Sequence, residues 1–115
     1  MAQLLKYTVD VTFALNASLS NAIDLDQGKA AVLQMPAAWD AADLTLKVSV
    51  DGTNYYSFYK GSDDTEYKIE AAASRTLLLP LSDFLGVRFL QFRSGTAGSP
   101  VNQTAARALV LGVVA

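Results

Sequence analysis

"LTLKVSVDGTNYYSFYK", Leu44 to Lys60, carries the pattern on which the fold turns. Leu44, Leu46, Val48 and Val50 alternate with Thr45, Lys47 and Ser49, the period-two signature of a half-buried strand. Asp51-Gly52 follows as a hairpin signal, because glycine enters positive-φ turn conformations without steric cost. Tyr55 to Lys60 then reads as the return strand. An isolated two-stranded hairpin is marginal in water, so the remaining chain must supply strands to cover it.

It has the pattern to do so. On the N-terminal side, Leu5, Tyr7, Val9, Val11, Phe13 and Leu15 fall on one face and Lys6, Thr8, Asp10 and Thr12 on the other, predicting one long strand. "AIDL" (22–25) and "KAAVLQM" (29–35) read as strands around a "DQG" turn. Pro36 ends the second of them, since it cannot donate to a ladder. "AAWDAAD" is too short for a stable helix and reads as a loop or single turn. Further on, "YKIEA" and "RTLLLP" are short strands, and "SDFLG" (82–86) is a turn with Ser82 or Asp83 as its cap and Gly86 as its end. "VRFLQFRS" (87–94) and "RALVLGVV" (107–114) are apolar on both faces and belong either in sheet centres or against another chain. The "GTAGSP" segment between them reads as a flexible loop. About eight short strands with closely spaced turns predict an all-β, antiparallel β-sandwich, jelly-roll-like, as one domain over residues 1–115.

Composition narrows the function classes. Hydrophobic residues make up 51% of the 115, enough for a core, while charged residues make up 17%, below the globular average of about 25%. The shortfall points to surface covered by a partner. Nine basic residues against eleven acidic ones is too balanced for a nucleic-acid binder. With no cysteine and no histidine, thiolate chemistry, Cys or His metal sites and a Ser-His-Asp triad are excluded. No stretch approaches the roughly 18 apolar residues of a membrane span, and the N-terminus lacks a signal-peptide pattern, so no membrane contact is expected and synthesis is expected in a cytoplasm. The glycines are scattered, with no phosphate-binding loop. Neither Asp63, Asp64 and Glu66 nor Asp24 and Asp26 have the spacing of a calcium loop, and paired carboxylates on a short-looped sandwich lack the cleft a glycosidase needs. No enzyme, cofactor or metal is expected.

The aromatic run admits two readings. Trp39, Tyr55, Tyr56 and Tyr59 could stack on sugar faces. Alternatively Tyr56 and Phe58 point inward, Tyr55 and Tyr59 point outward, and Trp39 covers one end of the sandwich, leaving tyrosines for a protein interface. Arg75, Arg88, Arg93 and Arg107 lie in or beside strands, placed to pair with carboxylates across strands or subunits, or to cap strand ends.

"VLQMPAAWDAADLTLKVSVDGTNYYSFY" (32–59) and "FLGVRFLQFRSGTAGSPVNQTAARALVL" (84–111) together resemble small proteins encoded among the virion genes of tailed bacteriophages and prophages. The shared pattern is a Met-Pro-Ala-Ala-Trp turn, a Leu-Thr-x-x-Val-Ser strand ending in Asp-Gly, a Tyr-rich return strand, then Gly-Val-Arg and Arg-Ser-Gly-Thr-Ala. The resemblance implies a capsid decoration, or cement, protein on the exterior of the phage head. Its partner would be the major capsid protein, and it would assemble as a homo-oligomer, a trimer. A neck, tail or fibre component is the rival within that class; a carbohydrate-binding module for host glycans is the rival outside it. The interface or ligand patch is expected among Trp39, Tyr55, Tyr56, Tyr59, Arg88 and Arg93.

Overall fold

The computed structural model describes residues 5–61 and 64–115. Among them are nine strands: β1 (Tyr7–Phe13), β2 (Ile23–Asp24), β3 (Lys29–Gln34), β4 (Leu44–Ser49), β5 (Tyr56–Ser57), β6 (Lys68–Ile69), β7 (Thr76–Leu78), β8 (Phe89–Ser94) and β9 (Arg107–Val114). A single 3₁₀ turn, Leu81–Phe84, separates β7 from β8.

The pairing is nested. β1 pairs with β9, β2 with β8, β3 with β7 and β4 with β5, all antiparallel. Two further pairings, β3 with β9 and β4 with β8, complete the sheets. The orders are β1-β9-β3-β7 and β2-β8-β4-β5, with β6 also alongside β4. A chain folded back on itself and rolled so that its strands alternate between two sheets has the jelly-roll order. The inner faces meet in one core: Val11, Phe13, Leu33, Leu109 and Leu111 come from one sheet and Ile23, Leu44, Leu46, Leu90 and Phe92 from the other.

The two segments that are apolar on both faces, β8 and β9, lie inside their sheets, each flanked by two strands. Central position accounts for their pattern. On β9, Gly112 leaves room above the sheet: a Cβ there would lie 2.6 Å from a Val32 methyl and 2.9 Å from a Leu5 methyl.

Several expectations need correction. The N-terminal strand is shorter than its alternation. Leu5 and Leu15 are exposed, and Asn16 at φ 62° turns the chain away with Ala17 N–H donating to Ala14 O. Beyond Phe13 there is no inner face to hold the pattern. Asn21 then covers β1's outer edge, accepting from Thr12 N–H at 2.8 Å and donating to Asp10 O at 3.3 Å, which blunts an edge open to pairing. Neither Ser82 nor Asp83 caps the 3₁₀ turn. Pro80 stands at its N-cap with no side-chain cap bond, and Asp83 instead accepts from the Tyr67 hydroxyl at 2.7 Å. The "GTAGSP" segment is a tight hairpin, with Thr96 and Ser99 exchanging backbone hydrogen bonds and Gly95 bridging Pro100.

Candidate functional site

The hairpin of the opening stretch is built on Asp51. Its carboxylate accepts from Thr53 N–H, Asn54 N–H, the Asn54 amide and the Ser49 hydroxyl, at 2.7–2.9 Å. Those donors, the Asn54 N–H first, hold its carboxyl far below the usual carboxylate range. Gly52, at φ 80°, supplies the reversal. The fixed loop and the outer face of the sheet enclose a shallow, polar groove of about 350 Å³, lined by Lys47, Thr53, Asn54, Tyr55, Tyr56 and Gln91. Tyr56 is in register with the core-packed Val48 but is not covered as the alternation predicts. It is 74% exposed, because β5 is a two-residue strand at the sheet's edge. Phe58 does pack on the core, tilted against Tyr67 at 5.4 Å, and Tyr67 continues edge-on to Phe84.

Trp39 is not part of that groove. Half-buried, it meets Phe13 edge-on with ring centroids 5.3 Å apart, and its indole N–H donates to Ala42 O at 3.1 Å. The small alanines around it let the ring lie against the sandwich end. Trp39→Ala is expected to cost about 2–3 kcal/mol, below the range for a fully buried tryptophan because part of the ring stays in water. Thermal or urea unfolding of the variant measures this, and an unshifted melting temperature contradicts the packing role.

Several polar residues outside the groove are engaged with one another. Gln103, fully buried, accepts from Asp40 N–H at 2.9 Å and donates to Asp40 O and to the Ser94 hydroxyl. Arg107 bridges the same pair, reaching Gln103 Oε1 at 3.2 Å and Asp40 Oδ1 at 2.7 Å. Arg93 is buried as well. Its guanidinium pairs with Glu66 and donates to Thr45 Oγ1 at 3.0 Å and Ser57 Oγ at 3.3 Å. Thr45 passes the chain on, donating to Gly95 O at 2.7 Å, while Glu66 also accepts from Ala97 N–H. Arg88 lies exposed over the Phe89 ring, in a two-bond pair with Asp24 and 3.7 Å from Asp26. Tyr59, half-exposed, pairs through its backbone with Glu66.

The six expected patch residues therefore do not form one site. Tyr55 and Tyr56 share the polar groove; Trp39, Arg93, Arg88 and Tyr59 stand apart, the first two holding the fold. Asp24 and Asp26 share Arg88's charge, which leaves little net attraction for a metal ion. Glu66 is taken by Arg93, and Asp63 lies outside the described residues. No group of three or more potential metal ligands occurs among the described residues. Comparison with models of known families, with curated proteins and with solved structures finds no match.

The carboxylates make stability depend on pH. Asp51, Asp40 and Asp24 all have folded-state values below normal. The causes are the turn donors for Asp51, chiefly the Thr104 N–H for Asp40, and chiefly the Arg88 hydrogen bond for Asp24. A depressed carboxyl contributes stability that is fully present above its unfolded value of about 3.9 and is lost as pH falls through the lower folded value. Tyr67 works the other way. Burial first, then Asp83, raises its hydroxyl, so its contribution is lost as pH rises above about 10. With no histidine in the sequence, thermal melts are expected to show a plateau through neutrality and a fall on both sides of it. A transition near neutral pH contradicts this account.

Proposed function

We propose that this protein is a non-enzymatic structural component of a tailed-phage virion, a decoration protein that binds the outside of the head and clamps neighbouring capsid subunits. One observation carries the reading. Of the residues that carry the resemblance to small virion proteins, Trp39, Asp51, Gly52, Arg93 and Gly95 hold the sandwich together and form no reactive constellation. Jelly rolls serve as viral capsid and lectin domains, an analogy of fold that adds weight without deciding function. A rigid unit bound at every equivalent lattice position stabilises a shell by mass action. Trimeric assembly on the major capsid protein belongs to the same proposal.

Quantifying the protein against the major capsid protein in purified particles tests it. A comparable copy number supports decoration. A far smaller one moves the protein to the neck or tail, and absence from particles overturns the reading.

The polar groove favours a second reading, a module for host glycans. Tyr55, Tyr56, Asn54, Gln91 and Lys47 are the aromatic, amide and charged groups a sugar site uses. Glycan binding that disappears in Tyr55→Ala, with folding unchanged, would put this reading first.

A further inference from the structure

We infer that the outer face of the four-stranded sheet, beside β7, is a docking groove for an extended protein segment whose apolar side chains are flanked by carboxylates. The inference rests on the proposed structural role only in taking the partner to be a protein.

The groove has a volume of about 420 Å³ and is walled by Leu5, Val32, Leu78, Leu81 and Val114. Leu78 is 84% exposed and Leu5 51%. Large apolar side chains gathered around one concavity are the surface feature that marks a binding site, whereas scattered ones are not. Gly112 is part of the construction, since its missing side chain lets Val32 and Leu5 settle over β9.

An extended occupant follows from the edge. Met35 N–H donates to Arg75 O and Leu79 N–H to Ala31 O, so Arg75 and Leu79 face β3. In an antiparallel ladder the alternate residues face away. Thr76 and Leu78 thus present their N–H and C=O groups to the free edge of the sheet, on the side of β7 away from β3. A strand added there would gain main-chain hydrogen bonds and place alternate side chains against Leu78, at the rim of the groove.

Charge selects the occupant. Lys60, Lys68, Arg88, Arg93 and Arg107 all stand in ion pairs within the chain. Four basic residues, Lys6, Lys29, Lys47 and Arg75, stand in none of the described ion pairs; Lys47 is on β4 of the other sheet, and the other three border the groove's elements. Lys29 is in register with Val114, Lys6 adjoins Leu5, and Arg75 precedes β7. Among the side chains on that face of the four strands only Asp10 carries a carboxylate, and it is on β1 at the far edge of the sheet. A second copy seated symmetrically on the groove would meet the same cations with cations. A segment carrying carboxylates meets them with complementary charge.

Two capped synthetic peptides, Glu-Leu-Val-Leu-Glu and Lys-Leu-Val-Leu-Lys, test this by amide chemical-shift titration of the whole protein. The acidic peptide is expected to shift the resonances of Val32, Leu78 and Val114. Binding should weaken about tenfold in Leu78→Ser and in Lys29→Glu, both surface changes that leave the core intact. The basic peptide should leave the groove unshifted. Equal binding of the two peptides, or no shift at the groove with either, overturns the inference. So does a concentration-dependent shift of the same residues in the protein alone, which would make a second copy the occupant. The particle measurement is independent of all this: a protein abundant in virions whose groove ignores the acidic peptide keeps its structural role and loses this site.

Discussion

Gly95→Ala is expected to be among the most damaging single substitutions in the chain, lowering stability by about 3–5 kcal/mol. Gly95 sits at φ 88°, where a side chain is strained whatever the space. Space is also lacking. An added Cβ would lie 2.5 Å from Ser99 O, 2.7 Å from Val101 N and 3.0 Å from Pro100 Cα. All three are backbone atoms of the same tight hairpin and cannot swing aside. Displacing them also breaks the Gly95 N–H bond to Asp43 O and the Thr45 hydroxyl bond to Gly95 O. Denaturant unfolding gives the value; a loss under about 1 kcal/mol, the ordinary effect of a surface change, contradicts this account.

The second large effect is at Glu66. Its side chain is 13% exposed and that of Arg93 10%, so Glu66→Ala strands a guanidinium away from water. Breaking a buried pair from one side typically costs about 3–5 kcal/mol, whereas replacing both partners by apolar residues is often neutral. Glu66→Ala is therefore expected to lose more than the double variant Glu66→Leu/Arg93→Met. The Thr45 hydroxyl joins Arg93 to Gly95, so the Glu66 and Gly95 substitutions should also be non-additive, which a double-mutant cycle measures. Equal melting temperatures for Glu66→Ala and the wild type would remove the buried-pair argument.

The contrast between those networks and the strands explains what can be read from the sequence. Alternation in 44–50, and the doubly apolar runs at 87–94 and 107–114, depend on local spacing and on central position, and they led directly to two antiparallel sheets. The Asp51-Gly52 turn is equally local. Gln103 gave no such signal. Its partners are Asp40, Ser94 and Arg107, and nothing in "VNQTAAR" tells a buried amide hub from a solvated loop. Glu66 seemed part of an acidic turn because its partner lies 27 positions away. Tyr56 had the right parity but the wrong strand: period two identifies a face, and only the sheet order says whether anything covers it. The apolar groove escaped for the same reason, being assembled from Leu5, Val32, Leu78 and Val114 on four separated segments.

The place of β9 has a consequence for how the chain acquires its shape. β9 lies between β1 and β3, with Tyr7 opposite Val113 and Leu33 opposite Leu111. Until residues 107–114 arrive, β1 has no hydrogen-bonded neighbour in its sheet and β3 has one. Folding must therefore wait for the closure of very long loops, and it belongs in the slow, millisecond-to-second class of proteins dominated by non-local pairing. Until β9 joins them, the earlier strands keep apolar faces uncovered, and such surface is prone to aggregation. Stopped-flow refolding in the microsecond range would show that the sheets assemble by some more local route.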